Sequence, residues 1–241
     1  MTSRALEVLG SFDAQHVRQN LSQIARRTDM PVATCYRLLR DLTTWGAVSR
    51  GEDGTYTVGP RIAQLGLLAS LERGLRQTAA PYMQDVLFAT RQIVNLFILD
   101  GMDALLLDRI AGTRVGAPIA RPGDRLPLHT SAGGKVLLAH GSAALIETAA
   151  SRLTPETQQS IADRPRLEEE LERVRQRGYA TTEGEHSSGA YGLAVPVRGV
   201  ESEVIAALGI VSLARIKDFQ RIVPALQVAS AAITRSLNRT A

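Results

Sequence analysis

Apolar positions in the first sixty residues recur at helical spacing in three short runs, then give way to strand-like alternation. Ser3 to Phe12 carries Leu6, Leu9 and Phe12 on one side, with Ser3 placed to cap its start. Asp13 to Asn20 reads as a polar connector. Leu21, Ile24 and Ala25 make the second run, which stops near Thr28-Asp29. Pro31 sits at or near the first turn of the third, where its missing N–H costs nothing. There Cys35, Leu38, Leu39 and Leu42 follow i, i+3, i+4, i+7 spacing and share one buried face. Val48-Ser49-Arg50 and Thr55-Tyr56-Thr57-Val58 are β-prone runs flanking Gly51-Glu52-Asp53-Gly54, a hairpin signal.

Beyond Gly59-Pro60 the pattern predicts a leucine-rich helix from Arg61 to about Leu75, with Ile62, Leu65, Leu68 and Leu71 near one stripe. It reads as a linker and dimer contact, or as a plain core helix. A break near Gly74 and a restart around Ala80-Pro81 set off a second helix, Thr78 to Arg91. Ile93 to Leu99 and Ala104 to Ile110 read as a hairpin turning at Asp100 to Asp103. Gly112 to Leu126 is a loop rich in Gly, Pro and Arg, with a short strand expected near Val115 to Ile119. Ala143 to Ile161 suggests two short helices, the second opened by Thr154-Pro155-Glu156. Arg166 to Arg177 is a charged surface helix with Leu167, Leu171 and Val174 inward. Gly178 to Glu183 leads into the loop Gly184 to Gly192. Strands Leu193 to Val197 and Val204 to Leu213 follow, then a helix Phe219 to Leu237 with Ile222, Leu226, Ala229 and Ile233 inward. Antiparallel strands with flanking helices predict an α+β class.

Composition adds little to this order, but it excludes several classes. Aromatics are only 4% of the 241 residues, so the core must rest on Leu, Val, Ile and Ala. The net charge of +4 is mild; residues 1–76 hold 10 Arg against 7 Asp and Glu, and the remainder 18 basic against 17 acidic. Cys35 is the sole cysteine, which excludes an internal disulfide and a cysteine-based metal cluster and fits a reducing compartment. No run has signal-peptide or membrane-span length, so a cytoplasmic protein is expected.

The candidate chemistry lies on two helix starts. At 100° per residue, the face opposite Cys35 and Leu38 carries Ala33, Arg37, Arg40 and Thr44, with Val32 in the first turn and Thr34 and Tyr36 on the flanks. Small residues, hydroxyls and guanidiniums suit a helix entering the DNA major groove. Two amphipathic helices with a polar corner do not alone establish this, but a hairpin straight after them has the position of a wing, with Arg50 able to reach phosphate. The second start is Leu128 to Ala139, where His129-Thr130-Ser131 precedes Ala132-Gly133-Gly134-Lys135. Hydroxyls and glycines there leave N–H groups accessible, an anion site. It is no nucleotide loop: that pattern needs Gly at 129 and Ser or Thr at 136, where His129 and Val136 stand. Ser131 and Lys135 are one residue too far apart for a Ser-x-x-Lys pair. The histidines show no metal spacing, and no cofactor is expected. An enzyme with an N-terminal interaction module, using Ser131, His129 and Glu183, is the alternative; no G-x-S-x-G elbow supports it.

In order along the chain, RALEVLGSF from Arg4, IARRTDMPVATCYRLLRDLTTWGAV from Ile24, Tyr56-Thr57-Val58-Gly59, PLHTSAGGKVLLA from Pro127, RQRGYATTEGEHSSGAYGLAVPV from Arg175 and AALGIVSL from Ala206 resemble the IclR family of bacterial transcriptional regulators. The resemblance implies a winged helix-turn-helix DNA-binding domain over 1–59, a linker helix over 60–76 and a GAF-like effector-binding domain over 77–241. It implies a double-stranded DNA operator, a small-molecule effector, and homodimers often paired into tetramers. It also implies effector contacts from Ser131, Ala132 and Gly133, from Thr182 and Glu183, and from Gly192, Gly209 and Val211. Members that grip small carboxylates place Asp, Cys and Ser where this chain has Thr182, Gly192, Gly209 and Val211. A roomier, less polar pocket for an aromatic or larger organic acid is therefore expected.

Overall fold

The computed structural model describes residues 2–13, 15–66, 70–112, 120–215 and 219–239. The chain divides into two compact units, Met1–Arg73 and Gly74–Ala241. The strand expected near Val115 to Ile119, and Leu67, Leu68 and Ala69 of the expected linker, lie outside the described residues.

The first unit runs α1 (Thr2–Gly10), β1 (Arg18–Gln19), α2 (Leu21–Arg27), α3 (Val32–Trp45), β2 (Val48–Arg50), β3 (Tyr56–Val58) and α4 (Pro60–Gly66). Asn20 and Gln23 close a reciprocal cap at the start of α2. Asp29 then takes a positive φ of 50° to turn the corner, and Pro31 stands at the cap of α3 rather than inside it. Cys35, Leu38 and Leu39 pack with Val8, Ile24, Ala25, Met30, Val48 and Tyr56 into one core. The helix-turn-helix is thus held by the apolar stripe that the spacing predicts.

The expected polar connector before α2 contains a strand. Arg18 and Gln19 pair with Thr57 and Tyr56, so the small sheet has the order β1-β3-β2. Gln19 is buried, and its amide donates to the carbonyls of Ser11 at 2.9 Å and His16 at 3.3 Å. Two residues are too few to show alternation. The wing folds back through Asp53, whose carboxylate accepts from the Thr55 amide and hydroxyl at 3.1 and 2.7 Å. Those hydrogen bonds hold the Asp53 carboxyl below its usual value.

The second unit begins within α5 (Ser70–Thr90) and continues with β4 (Ile93–Asp100), β5 (Asp103–Ile110), β6 (Arg125–Pro127), α6 (Ala132–Ala139), α7 (Ala143–Ala150), α8 (Arg164–Arg177), β7 (Ala180–Glu183), β8 (Tyr191–Arg198), β9 (Val204–Ser212) and α9 (Val223–Asn238). Among the described residues six antiparallel strands form one sheet in the order β6-β5-β4-β9-β8-β7. One face carries Val94, Leu96, Leu193, Val195, Leu208 and Ile210 against α5 and α9. The other carries Phe97, Leu106, Ala194 and Ala207 against α6 and α8. The sheet is therefore covered on both sides by helices.

Two expected features do not form. α5 runs unbroken through Gly74 and Pro81. Leu75, Ala79, Met83 and Val86 make a buried stripe that starts just after Gly74 and runs across Pro81. Burying Leu, Met and Val at ~1.5–3 kcal/mol each offsets the roughly 1 and 3 kcal/mol cost of an interior Gly and Pro. The second helix expected at Thr154 is instead a turn, because Ser160 Oγ accepts from the amides of Glu156 and Thr157, each at 2.9 Å. The Ser160 hydroxyl in turn donates to the Glu185 carbonyl at 2.6 Å.

The end of α3 depends on a close approach. Gly46 caps it at φ 85°, and a Cβ on Gly59 would stand 2.9 Å from the carbonyl carbons of Gly46 and Ala47. Backbone cannot yield there as a side chain would. Gly59→Ala should therefore destabilise the first unit by about 1–3 kcal/mol. Urea unfolding followed through Trp45, the sole tryptophan, reads the effect; an unshifted midpoint would show that the two segments do not meet in this way.

Candidate functional site

In the first unit the predicted face of α3 points outward. Val32 is 52% and Tyr36 47% exposed, Ala33, Arg37, Arg40 and Thr44 are exposed, and Thr34 is half-buried. Arg37 has no carboxylate partner among the described residues. Arg40 makes only a 3.3 Å contact with its neighbour Asp41, an exposed pair worth little. Arg50 is exposed at the wing, its guanidinium 5.7 Å from the centre of the Tyr56 ring. The capped corner, the buried stripe and the short sheet leave this face free to meet another molecule.

In the second unit α6 starts over the middle of the sheet, and a cavity of about 60 Å³ lies under its first turn. Ser131 caps the helix by accepting the Gly134 N–H at 3.0 Å, which leaves the N–H groups of Ala132 and Gly133 without intrahelical acceptors. The helix lies close because residue 133 has no side chain: a Cβ there would overlap the Phe97 ring. A Cβ on Gly192 would stand 3.2 Å from that of Ala132, and one on Gly209 would stand 2.8 Å from the Leu193 carbonyl oxygen.

Cross-strand register assembles the floor. One row runs Arg109, Asn95, Gly209, Ala194 and Ala180; the next runs Ile93, Val211, Gly192 and Thr182. Directly opposed residues share a face, so all but Ala180 line the cavity. Of the eight residues that the resemblance implies, Ser131, Ala132, Gly133, Thr182, Gly192, Gly209 and Val211 line it. Glu183 does not. It follows inward-facing Thr182 on β7, so strand alternation turns it away, 3.7 Å from Arg215.

The cavity also takes in Asn95, Phe97, Arg109, Thr130 and His186, which the sequence reading did not single out as ligand contacts. Asn95 Oδ1 and Thr130 Oγ1 are buried without hydrogen-bond partners among the described residues, and His186 Nδ1 lies 3.6 Å from Glu156 Oε2. Burial holds Arg109 below its ordinary value.

Behind the helix start, Lys135 is buried and donates to Glu185 Oε1 at 2.7 Å and to the Thr181 carbonyl at 3.2 Å, with Glu170 Oε1 at 3.8 Å. Burial pushes the Glu185 carboxyl up, against the pull of the ammonium. His129 has its Nε2 3.0 Å from the Thr154 carbonyl, to which a neutral ring can donate, and burial holds its pKa down. Ser131, His129 and Glu183 therefore do not form a nucleophile, base and orienter, since each is engaged elsewhere. Among the described residues no cluster of three His, Cys, Asp or Glu side chains is placed to hold a metal ion, and no helix is long and apolar enough to cross a membrane.

The ion pair makes a pH-dependent prediction. Lys135→Met leaves Glu185 buried and unpaired, and should destabilise the second unit by about 3–5 kcal/mol at neutral pH. Without the ammonium the folded carboxyl rises further. The folded variant then holds a proton that the unfolded chain releases, so its stability falls as pH rises through that raised value. The deficit against the parent should be smaller at pH 5 than at pH 8; a deficit independent of pH would show that Glu185 is not the group left stranded.

Residues 2–52 match the IclR helix-turn-helix domain, and residues 69–235 match the family described as bacterial transcriptional regulator IclR C-terminal. The chain is 32% identical to the HTH-type transcriptional regulator XynR of Escherichia coli over 97% of its own length and 95% of that protein. It is 30% identical to the Pca operon regulatory protein of Acinetobacter baylyi, covering 93% of this chain and 84% of the relative. Its fold superposes with a TM-score of 0.93 on an IclR homolog from Microbacterium hydrocarbonoxydans complexed with 4-hydroxybenzoate, at 31% identity and covering 100% of this chain and 99% of the other.

Proposed function

Because the chain belongs to the IclR family of bacterial transcriptional regulators, we propose that it is a ligand-responsive regulator of a catabolic operon, governed by a small organic acid that we read as aromatic. The relatives are named as transcriptional regulators, and the chain is a regulator and not an enzyme. The observation that carries the ligand reading is the cavity under α6, where free N–H groups and unpartnered polar atoms face a floor of Gly192, Ala194, Gly209 and Val211. Small floor residues and the Phe97 ring favour a flat apolar body; the helix start favours an anionic end. The complex of a related protein with 4-hydroxybenzoate supports this choice.

In this reading 1–59 is the DNA-binding domain, 60–76 the linker and 77–241 the effector domain. The protein acts in the cytoplasm as a homodimer, or as a dimer of dimers, on a two-fold-related operator. Val32, Ala33, Thr34, Tyr36, Arg37 and Arg40 meet base edges and phosphates, and Arg50 meets the backbone from the wing. The effector controls DNA binding only so far as it binds one arrangement of the DNA-binding heads more tightly than another.

The test separates the two activities. Arg37→Ala should weaken specific operator binding by about 1–3 kcal/mol and leave the effector's thermal shift unchanged. Gel-shift titration at fixed salt measures the first, and differential scanning fluorimetry the second. Undiminished operator affinity would remove α3 from the DNA interface.

A further inference from the structure

Among the described residues, Arg109 is the only Arg or Lys that lines the cavity, and no Asp or Glu lines it with Arg109. Asp108, its neighbour, is committed to the other face of β5, with Arg76 Nε 3.5 Å away. Among the described residues no carboxylate pairs with the Arg109 guanidinium. Its pKa is depressed by burial alone, with no acid pulling it back. Beside it in the cross-strand register stands Asn95, 4% exposed, with Oδ1 unpartnered. A half-buried cation with neither water's full solvation nor an internal counter-ion is costly, and an anion brought into the cavity would offset that cost.

We infer that Arg109 is the specificity-determining residue of the effector site and receives the effector's carboxylate, which selects acids over neutral analogues of the same shape. The inference rests on the organic-acid reading above and deepens it. A planar guanidinium matches a carboxylate with two parallel N–H donors, a geometry that a neutral amide meets less well. The start of α6 lies over Gly192 on β8 and Phe97 on β4, whereas Arg109 projects from β5. Two strand spacings, about 10 Å, separate Arg109 from Gly209 across the floor. The carboxylate at Arg109 therefore leaves the N–H groups of Ala132 and Gly133 for an acceptor elsewhere on the ligand, such as a ring hydroxyl.

The experiment compares acids with their amides on the full chain. Calorimetric titration of benzoate, 4-hydroxybenzoate and pyruvate, and of benzamide and 4-hydroxybenzamide, gives an acid-to-amide affinity ratio for wild type, Arg109→Gln and Arg109→Lys. Wild type should favour the aromatic acid by about tenfold or more. Arg109→Gln should bring the ratio close to one, chiefly by lowering the affinity for the acid. Arg109→Lys should keep part of the preference. If Arg109→Gln does not fold, as its melting curve would reveal, the Lys variant carries the test: a reduced ratio supports the assignment and an undiminished ratio overturns it. A ratio that survives Arg109→Gln assigns the carboxylate to the helix start and overturns it too. Should none of the acids bind wild type, the organic-acid reading falls, and this assignment with it.

Discussion

The contact between Gly133 and the Phe97 ring sets the geometry of the second unit's functional face. With no side chain at 133, α6 approaches the sheet until backbone meets ring. Ala132 and the floor glycines then leave a void where larger residues would have filled the space between helix and strands. The void is not inert. Asn95 and Thr130 line it, and their buried Oδ1 and Oγ1 have no hydrogen-bond partner among the described residues; each such group costs on the order of 1–3 kcal/mol if left dry. Water or a polar ligand relieves that cost, so the same packing that makes room also selects what enters.

The far end of the same helix turn is fixed by charge. Lys135 ties α6 to Glu185, in the loop that carries His186 and Ala190 to the cavity wall. Thr157 and Ser160 hold that loop from the other side through the carbonyls of Gly184 and Glu185. A buried ion pair adds little net stability, but it fixes position, because either partner left alone is heavily penalised. The helix start and the wall loop are in this way registered to each other before any ligand arrives. In the first unit a different economy holds: an apolar stripe and one reciprocal cap fix the helix pair, and the opposite face of α3 remains uncommitted.

The helix-turn-helix was legible in the sequence because its period is regular and its buried stripe unbroken. So were the main hairpin of the second unit, the start of α6 and, by family resemblance, the floor positions Thr182, Gly192, Gly209 and Val211. Other features depended on partners distant in the chain. Arg18 and Gln19 become a strand only through β3, and α5 crosses Pro81 because the sheet buries the stripe on either side of it. Asn95 and Arg109 join the cavity through strand register, which no local pattern reveals. Glu183 is a different lesson: alternation from inward-facing Thr182 was sufficient to turn it outward, and the motif obscured that rule.

The central claim is that the first turn of α6 and the small-residue floor beneath it form one ligand site. Hydrogen exchange on the full chain, with and without the tightest-binding organic acid, tests it most directly. The account predicts slowed exchange at the amides of Ala132 and Gly133 and across Gly192 and Gly209 to Val211. Saturating acid that leaves these amides unchanged while protecting another region would contradict it.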